Sequence, residues 1–222
     1  MSTQLKTMRV PAVLFFAASL ISFGARAEAP VTMLELAPSS TLSLDGDSTL
    51  HRYSAKAEEL HASFTLTPAG QAAGAAKSVA ELFTDKDIAG AELVIPVAKL
   101  SSGESGLDNN MRKALHGDKV KYITLQIKSY EVQAPSEKGA AFKVSLHGRL
   151  GVAGTGRDID VLATALPQTN GLQLSGSKDV LMSDYKVEAP SFMLGAMKTK
   201  DLVTIKFALS IRRKGAGPLT AR

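Results

Sequence analysis

Apolar and polar positions alternate with a period of two through most of the chain. The pattern is clearest where Phe142, Val144, Leu146, Gly148, Leu150 and Val152 interleave with Lys143, Ser145, His147, Arg149 and Gly151. Successive strand side chains point to opposite faces, so such a segment offers one face to a core and one to water. Ile123, Leu125 and Ile127 alternate with Thr124, Gln126 and Lys128. Val203, Ile205, Phe207, Leu209 and Ile211 alternate with Thr204, Lys206, Ala208, Ser210 and Arg212. Strands are expected near 41–44, 51–66 (long enough to bend), 90–97, 121–132, 141–152, 157–167, 172–182 and 202–212. Asn170-Gly171 is the expected two-residue hairpin turn, and Gly154-Thr155-Gly156 and Glu137-Lys138-Gly139 separate other runs. An antiparallel set of this size hides its edges by closing, which predicts an all-β, eight-stranded antiparallel barrel over 41–212.

One segment departs from this period. Leu107, Met111, Ala114 and Leu115 form a helical stripe, with Asp108 and Arg112 spaced to pair on the opposite side. Ser105 with Asp108 fits a capping box and Gly117 a helix stop. The expectation is one short helix covering or flanking an end of the barrel. Pro68–Lys77 reads as a loop, with a helical turn over Ser78–Phe83.

The N-terminus changes the class of protein. Lys6 and Arg9 precede the apolar run Val13–Phe23, and Ala25-Arg26-Ala27 fits a small-x-small cleavage site. Residues 1–27 are expected to be a secretory signal peptide, 28–40 a leader segment, and 213–222 a disordered basic tail. A periplasmic or secreted location follows. Cleavage removes Lys6, Arg9, Arg26 and no acid, so 26 basic against 21 acidic groups become 23 against 21. That balance gives no reason to expect nucleic acid as a partner. The chain has no cysteine, so its stability must come from its core rather than from disulfides.

Candidate chemistry is sparse. His51, His61, His116 and His147 lack metal-ligand spacing, and Asp45 and Asp47 are read as turn residues rather than a calcium loop. No nucleophile elbow, phosphate loop or HExxH is present. The reading is therefore of a protein that is not an enzyme, with no catalytic residue, metal or cofactor. The apolar strand faces fit either a filled core or a cavity wall. Modest side chains, no Trp and 5% aromatics lean toward a cavity.

Three blocks then resemble the YceI-like family of secreted barrels, spanning Leu36–Ile211 in the family's order. The first runs from Ile95-Pro96-Val97 through Leu100-Ser101-Ser102-Gly103 and Asp108–Leu115 to Tyr122-Ile123-Thr124-Leu125. The second is Val144–Val161, with Gly148, Leu150, Gly154, Arg157 and Ile159. The third is Met182-Ser183-Asp184-Tyr185, Met193-Leu194-Gly195 and Val203-Thr204-Ile205. The resemblance implies a lipocalin-like barrel whose interior holds a polyisoprenoid or isoprenoid quinone. The chain departs from the family at Asn110, Gly151, Asp158 and His51-Arg52-Tyr53, all near the expected mouth.

The expected function is to bind a long-chain lipid for carriage or sequestration, with transient contact at a membrane surface. Wall candidates are Phe64, Leu93, Ile95, Ile123, Leu125 and Ile127, together with Phe142, Val144, Leu146, Val203, Ile205 and Phe207. Arg112 and His116 are candidate head-group contacts. The alternatives are a filled barrel serving as a stress or accessory protein, and an enzyme of other chemistry. The exported form is expected to begin at Glu28; an intact mass from the native host that retains residues 1–27 would contradict it.

Overall fold

A computed structural model describes residues 33–49, 52–137, 139–189, 191–192 and 197–216. The expected signal peptide, residues 28–32 of the leader, His51, Lys138, Met193-Leu194-Gly195 and residues 217–222 lie outside the described residues.

The alternation is realised as strands. β8 (Phe142–Val152) buries Phe142, Val144, Leu146 and Leu150 and exposes Lys143 and Arg149. It pairs antiparallel with β7 (Tyr122–Gln133) on one side and β9 (Thr155–Gln168) on the other. β7 carries a bulge between Ile127 and Ser129. The extra residue reverses the in–out phase, so Ile123, Leu125 and Ile127, then Tyr130 and Val132, all face inward. Gly148 sits opposite: a Cβ there would come within 2.3 Å of the Gln126 carbonyl oxygen.

The other strands are β1 (Leu34–Leu36), β2 (Thr41–Ser48), β3 (Arg52–Ala57), β4 (His61–Leu66), β5 (Ile88–Pro96) and β6 (Leu100–Ser101). They are joined by β10 (Gly171–Leu181), β11 (Ser191–Phe192) and β12 (Met197–Arg213). The ladder runs β4-β5-β7-β8-β9-β10-β12-β2-β3-β6 and is antiparallel throughout. Among the described residues it has ten strands, not the expected eight. The physical reason is two bends. Segment 52–66 breaks at Glu58-Glu59-Leu60 into β3 and β4, and segment 88–101 breaks at a 3-10 turn, Val97–Lys99, into β5 and β6. β4 pairs with β5 and β3 with β6, while the Glu58 N–H donates to the Lys99 carbonyl at 2.9 Å across the bend. Both ends of the ladder are thus pieces of the same two segments, and the sheet curls around an apolar interior.

β1, too short to show a period, lies in the expected leader and pairs with β12. β12 holds β10 along one edge and β1 then β2 along the other. It runs through Arg213, into the segment expected to be a disordered tail. Arg212 pairs with Glu35 at 2.9 Å, and the Arg213 guanidinium donates to the carbonyls of Gly74 and Lys77. Asp45 and Asp47 are strand residues of β2 rather than turn residues, ion-paired to Lys206 and Lys200 at 2.7 Å each.

Turn positions shift slightly from expectation. Gln168 pairs with Gly171, so Thr169-Asn170 is the two-residue turn. Ala153 and Gly154, with φ of 49° and 80°, join β8 to β9, and Thr155 and Gly156 already belong to the strand.

Three helices are present among the described residues. α1 (Pro68–Ala73) forms where a loop was expected, because the Thr67 hydroxyl caps the Gly70 N–H and Pro68 fits the first turn. α2 (Val79–Thr84) opens on a reciprocal capping box between Ser78 and Glu81. It buries Val79, Leu82 and Phe83 against β9, β10 and β12, plugging one end of the sheet. α3 (Ser105–Ala114) is the expected helix.

Val144 has no exposed surface, while its neighbour Ser145 faces outward. Val144→Asp is expected to cost roughly 3 kcal/mol or more and Ser145→Asp less than about 1. Urea unfolding of the two variants checks it; equal losses would mean that the register is different.

An apolar cavity as the candidate functional site

Two apolar clusters occupy the interior. One gathers around α2 and includes Leu82, Phe83, Tyr130, Phe142, Val144 and Leu172. The other includes Leu42, Ile95, Val97, Leu100, Ile123 and Leu150, with Met111, Ala114 and Leu115 of α3 packed against it. A cavity of about 460 Å³ has side chains of both clusters in its wall. That volume lies in the ~300–1,000 Å³ range of small-molecule sites.

The wall is built by strand parity. Leu93 and Ile95 of β5, Ile123, Leu125 and Ile127 of β7, and Leu146 of β8 line it. Phe64 of β4 and Val203, Ile205 and Phe207 of β12 also line it. Phe207 lies over Gly176 of β10, where a Cβ would come within 2.8 Å of the Phe207 ring. Tyr53 covers Gly46 in the same manner. In both pairs the glycine leaves room for an aromatic ring from the paired strand.

Phe142 and Val144 correct the expectation for the wall. They share the inward face of β8 but lie in the packed cluster beside α2, not in the cavity wall. Alternation sets the face of a strand and not the height along it, so Leu146 reaches the cavity and the two residues before it do not. Arg112 and His116 are not in the wall either. Arg112 donates to the Asn109 side-chain oxygen at 3.0 Å instead of pairing with Asp108, and His116 takes the left-handed conformation that ends α3.

The wall also contains residues that were not among the expected wall candidates. Leu107, Asn110, Met111, Ala114 and Leu115 bring α3 over the cavity. The helical spacing of the apolar four was legible; Asn110 was noted as a departure from the resembling family. Leu42 and Leu44 of β2, Ile159 of β9, Leu174 and Val180 of β10, and the following Met182 and Tyr185 complete much of the rest. Lys178 of β10 is the one lysine in the wall among the described residues. It sits on the inward parity of Leu174, Gly176 and Val180. Burial pushes the phenols of Tyr53, Tyr130 and Tyr185 up, so all three stay neutral at ordinary pH. The Tyr130 hydroxyl donates to the Phe83 carbonyl at 3.3 Å.

α3 is tied down from its first turn, but not by the expected capping box. Glu104 is the N-cap residue and makes no side-chain capping bond. Asp108 is buried and accepts from the Ser102 hydroxyl at 2.6 Å, the Ser102 N–H at 2.7 Å and the Ser101 hydroxyl at 3.2 Å. The last residue of β6 and the one after it supply these donors, so the carboxylate fastens helix to sheet rather than capping the helix. The Ser102 hydroxyl bond, then the Ser102 N–H, hold the Asp108 carboxyl below its usual range.

Comparison with known proteins places this architecture. The model of the YceI-like domain matches residues 40–211. A polyisoprenoid binding domain from Saccharophagus degradans, implicated in plant cell wall breakdown, superposes with a TM-score of 0.59 at 15% identity, covering 82% of this chain and 99% of that one. BcnA of Burkholderia cenocepacia gives 0.56 at 16% identity, covering 78% and 95%. The Campylobacter jejuni YCEI protein gives 0.52 at 18% identity, covering 72% and 84%. At such identities the likeness to these structures is one of fold. No curated protein matches the chain.

Asp108→Asn removes a charge whose folded form is favoured by its donors, so it is expected to lower the thermal midpoint at neutral pH. A depressed folded pKa contributes stability above the unfolded value of about 3.9, lost as pH falls through the folded value. The gap between wild type and variant is therefore expected to narrow below about pH 4. Melting curves at pH 7 and pH 3 check this; a gap unchanged by acid would contradict it.

Proposed function

This chain belongs to the YceI-like domain family, and from that premise we propose that it binds a long apolar lipid inside the curled sheet, for carriage or sequestration outside the cytoplasm. The observation that carries the reading is the cavity of about 460 Å³, walled almost entirely by aliphatic and aromatic side chains. A filled barrel would have no use for such a space.

The mechanism is desolvation. Moving an apolar tail from water into this wall gains roughly 25 cal/mol per Å² buried. A five-carbon isoprene unit gains on the order of 4 kcal/mol before the cost of ordering it, at about 0.8 kcal/mol per carbon. No bond is made or broken in this reading, so it assigns no catalytic residue. A polyisoprenoid or isoprenoid quinone fits an apolar wall that offers few polar partners along its length. The name of the Saccharophagus degradans domain, which records polyisoprenoid binding, supports that class.

Mass spectrometry of an organic extract of the purified protein is expected to recover a prenyl lipid. Ile205 lies in the cavity wall and is not fully buried. Ile205→Trp is expected to cut uptake of a fluorescent prenyl probe several-fold, with only a small change in stability. Overpacking a filled core costs about 1–3 kcal/mol. A loss of that size, with no lipid ever extracted from the wild type, would instead mean a packed interior.

A further inference from the structure

β9 and β10 part company halfway along the sheet. Their ladder runs from Gln168–Gly171 to Ala163–Gly176 and goes no further. β9 continues to Thr155, still paired with β8, and β10 continues to Leu181, still paired with β12. Between the diverging strands lies a cleft lined by Arg157–Asp160 on one side and Lys178–Leu181 on the other. Ile159, Lys178, Val180, Leu181 and Tyr185 line both this cleft and the apolar cavity. The interior therefore reaches the side of the sheet here.

The short 3-10 turn Ser183–Tyr185 sits over the parting. Arg157 donates its Nε–H to the Asp184 carbonyl at 2.9 Å, and Asp201 accepts from the Ser183 N–H and hydroxyl at 2.8 and 2.5 Å.

Charges on the two strands of the cleft are sorted by face, and Asp184 of the covering turn also lines it. Asp158, Asp160 and Asp179 occupy the outward parity and already have partners. Asp158 meets Lys128 and Arg149 at 3.2 and 3.4 Å, and Asp160 meets His147 at 2.6 Å. Asp179 accepts the Thr204 hydroxyl at 2.6 Å. Lys178 and Arg157 occupy the inward parity, with Ile159 and Val180. Lys178 is half-buried, and its ammonium has no hydrogen-bond or ion-pair partner among the described residues. An ammonium beside an apolar wall, with the nearby strand carboxylates engaged elsewhere, is a site for an anion.

We propose that the parting of β9 and β10 is a lateral head-group site, where Lys178 takes the phosphate or carboxylate of an amphiphile whose tail fills the cavity. This deepens the reading above and rests on it. Arg157 adds a second cation at the rim, and the turn Ser183–Tyr185 closes over the head. The head leaves sideways between two strands, through a cleft that Arg112 and His116 do not line.

The test is direct binding of three probes to the purified full-length protein: geranylgeraniol, geranylgeranyl monophosphate and a fatty acid of similar length. The wild type is expected to bind one or both anionic probes at least tenfold more tightly than the alcohol; which of them does so separates phosphate from carboxylate. Lys178→Gln is expected to remove that advantage, read as the ratio of anion to alcohol affinity within the same variant, and Arg112→Gln to leave the wild-type ratio. An advantage that survives Lys178→Gln, or that Arg112→Gln abolishes, overturns the site. Equal binding of alcohol and anions by the wild type overturns the anionic class while the lipid reading stands. Binding of none of the three overturns the lipid reading itself.

Discussion

A curled sheet must satisfy the backbone groups along both of its edges, and here one bent segment serves both. Arg52–Ala57 pairs with β2 at one end of the ladder, and His61–Leu66 pairs with β5 at the other. The partner segment bends at the same height, with Val97–Lys99 as its elbow. The bond from Glu58 to Lys99 carries the ladder across that corner. If either segment were straight, the edges would stay apart and the inward faces of β7, β8 and β12 would face water. The cavity, the plug and the cover all presuppose this corner.

The inward faces are kept continuous by small irregularities. The bulge in β7 resets the parity so that Tyr130 follows Ile127 to the inside, and Gly148 makes room for it. Gly176 and Gly46 accept the rings of Phe207 and Tyr53. These rings cross from one strand to the next and smooth the wall, which helps a wall built mainly of Leu, Ile and Val to present few polar edges.

Much of this was legible in the chain. The alternation of β8 and β12 and the stripe Leu107-Met111-Ala114-Leu115 report burial directly, because periodicity and burial have one cause. The chain does not report position along the cavity axis. Phe142, Val144 and Leu146 carry the same signal and share one packed cluster, yet only Leu146 reaches the wall. That depends on what packs across the interior from segments distant in sequence, and such contacts leave no local pattern. Asp108 was misread for the same reason. The spacing from Ser105 suggests a cap, but the donors that reach it come from Ser101 and Ser102, before the helix begins. Lys178 breaks an apolar run, and only the partly separated strands show why an inward cation is tolerated there.

The division of the core into two clusters bears on how the molecule unfolds. Each cluster is anchored by its own helix, and the side chains between them face empty space on one side. Ile159 and Phe207 pack against both clusters, while across the cavity itself the dispersion contacts of a filled interior are missing. A tail lying along the cavity, as proposed, would supply those contacts and tie the clusters more closely. It also stabilises the folded state by RT ln(1 + [L]/Kd). Under the proposed lipid binding, the loaded form is expected to differ from the empty one less in shape than in cooperativity, melting as a single body at a temperature that rises with ligand concentration.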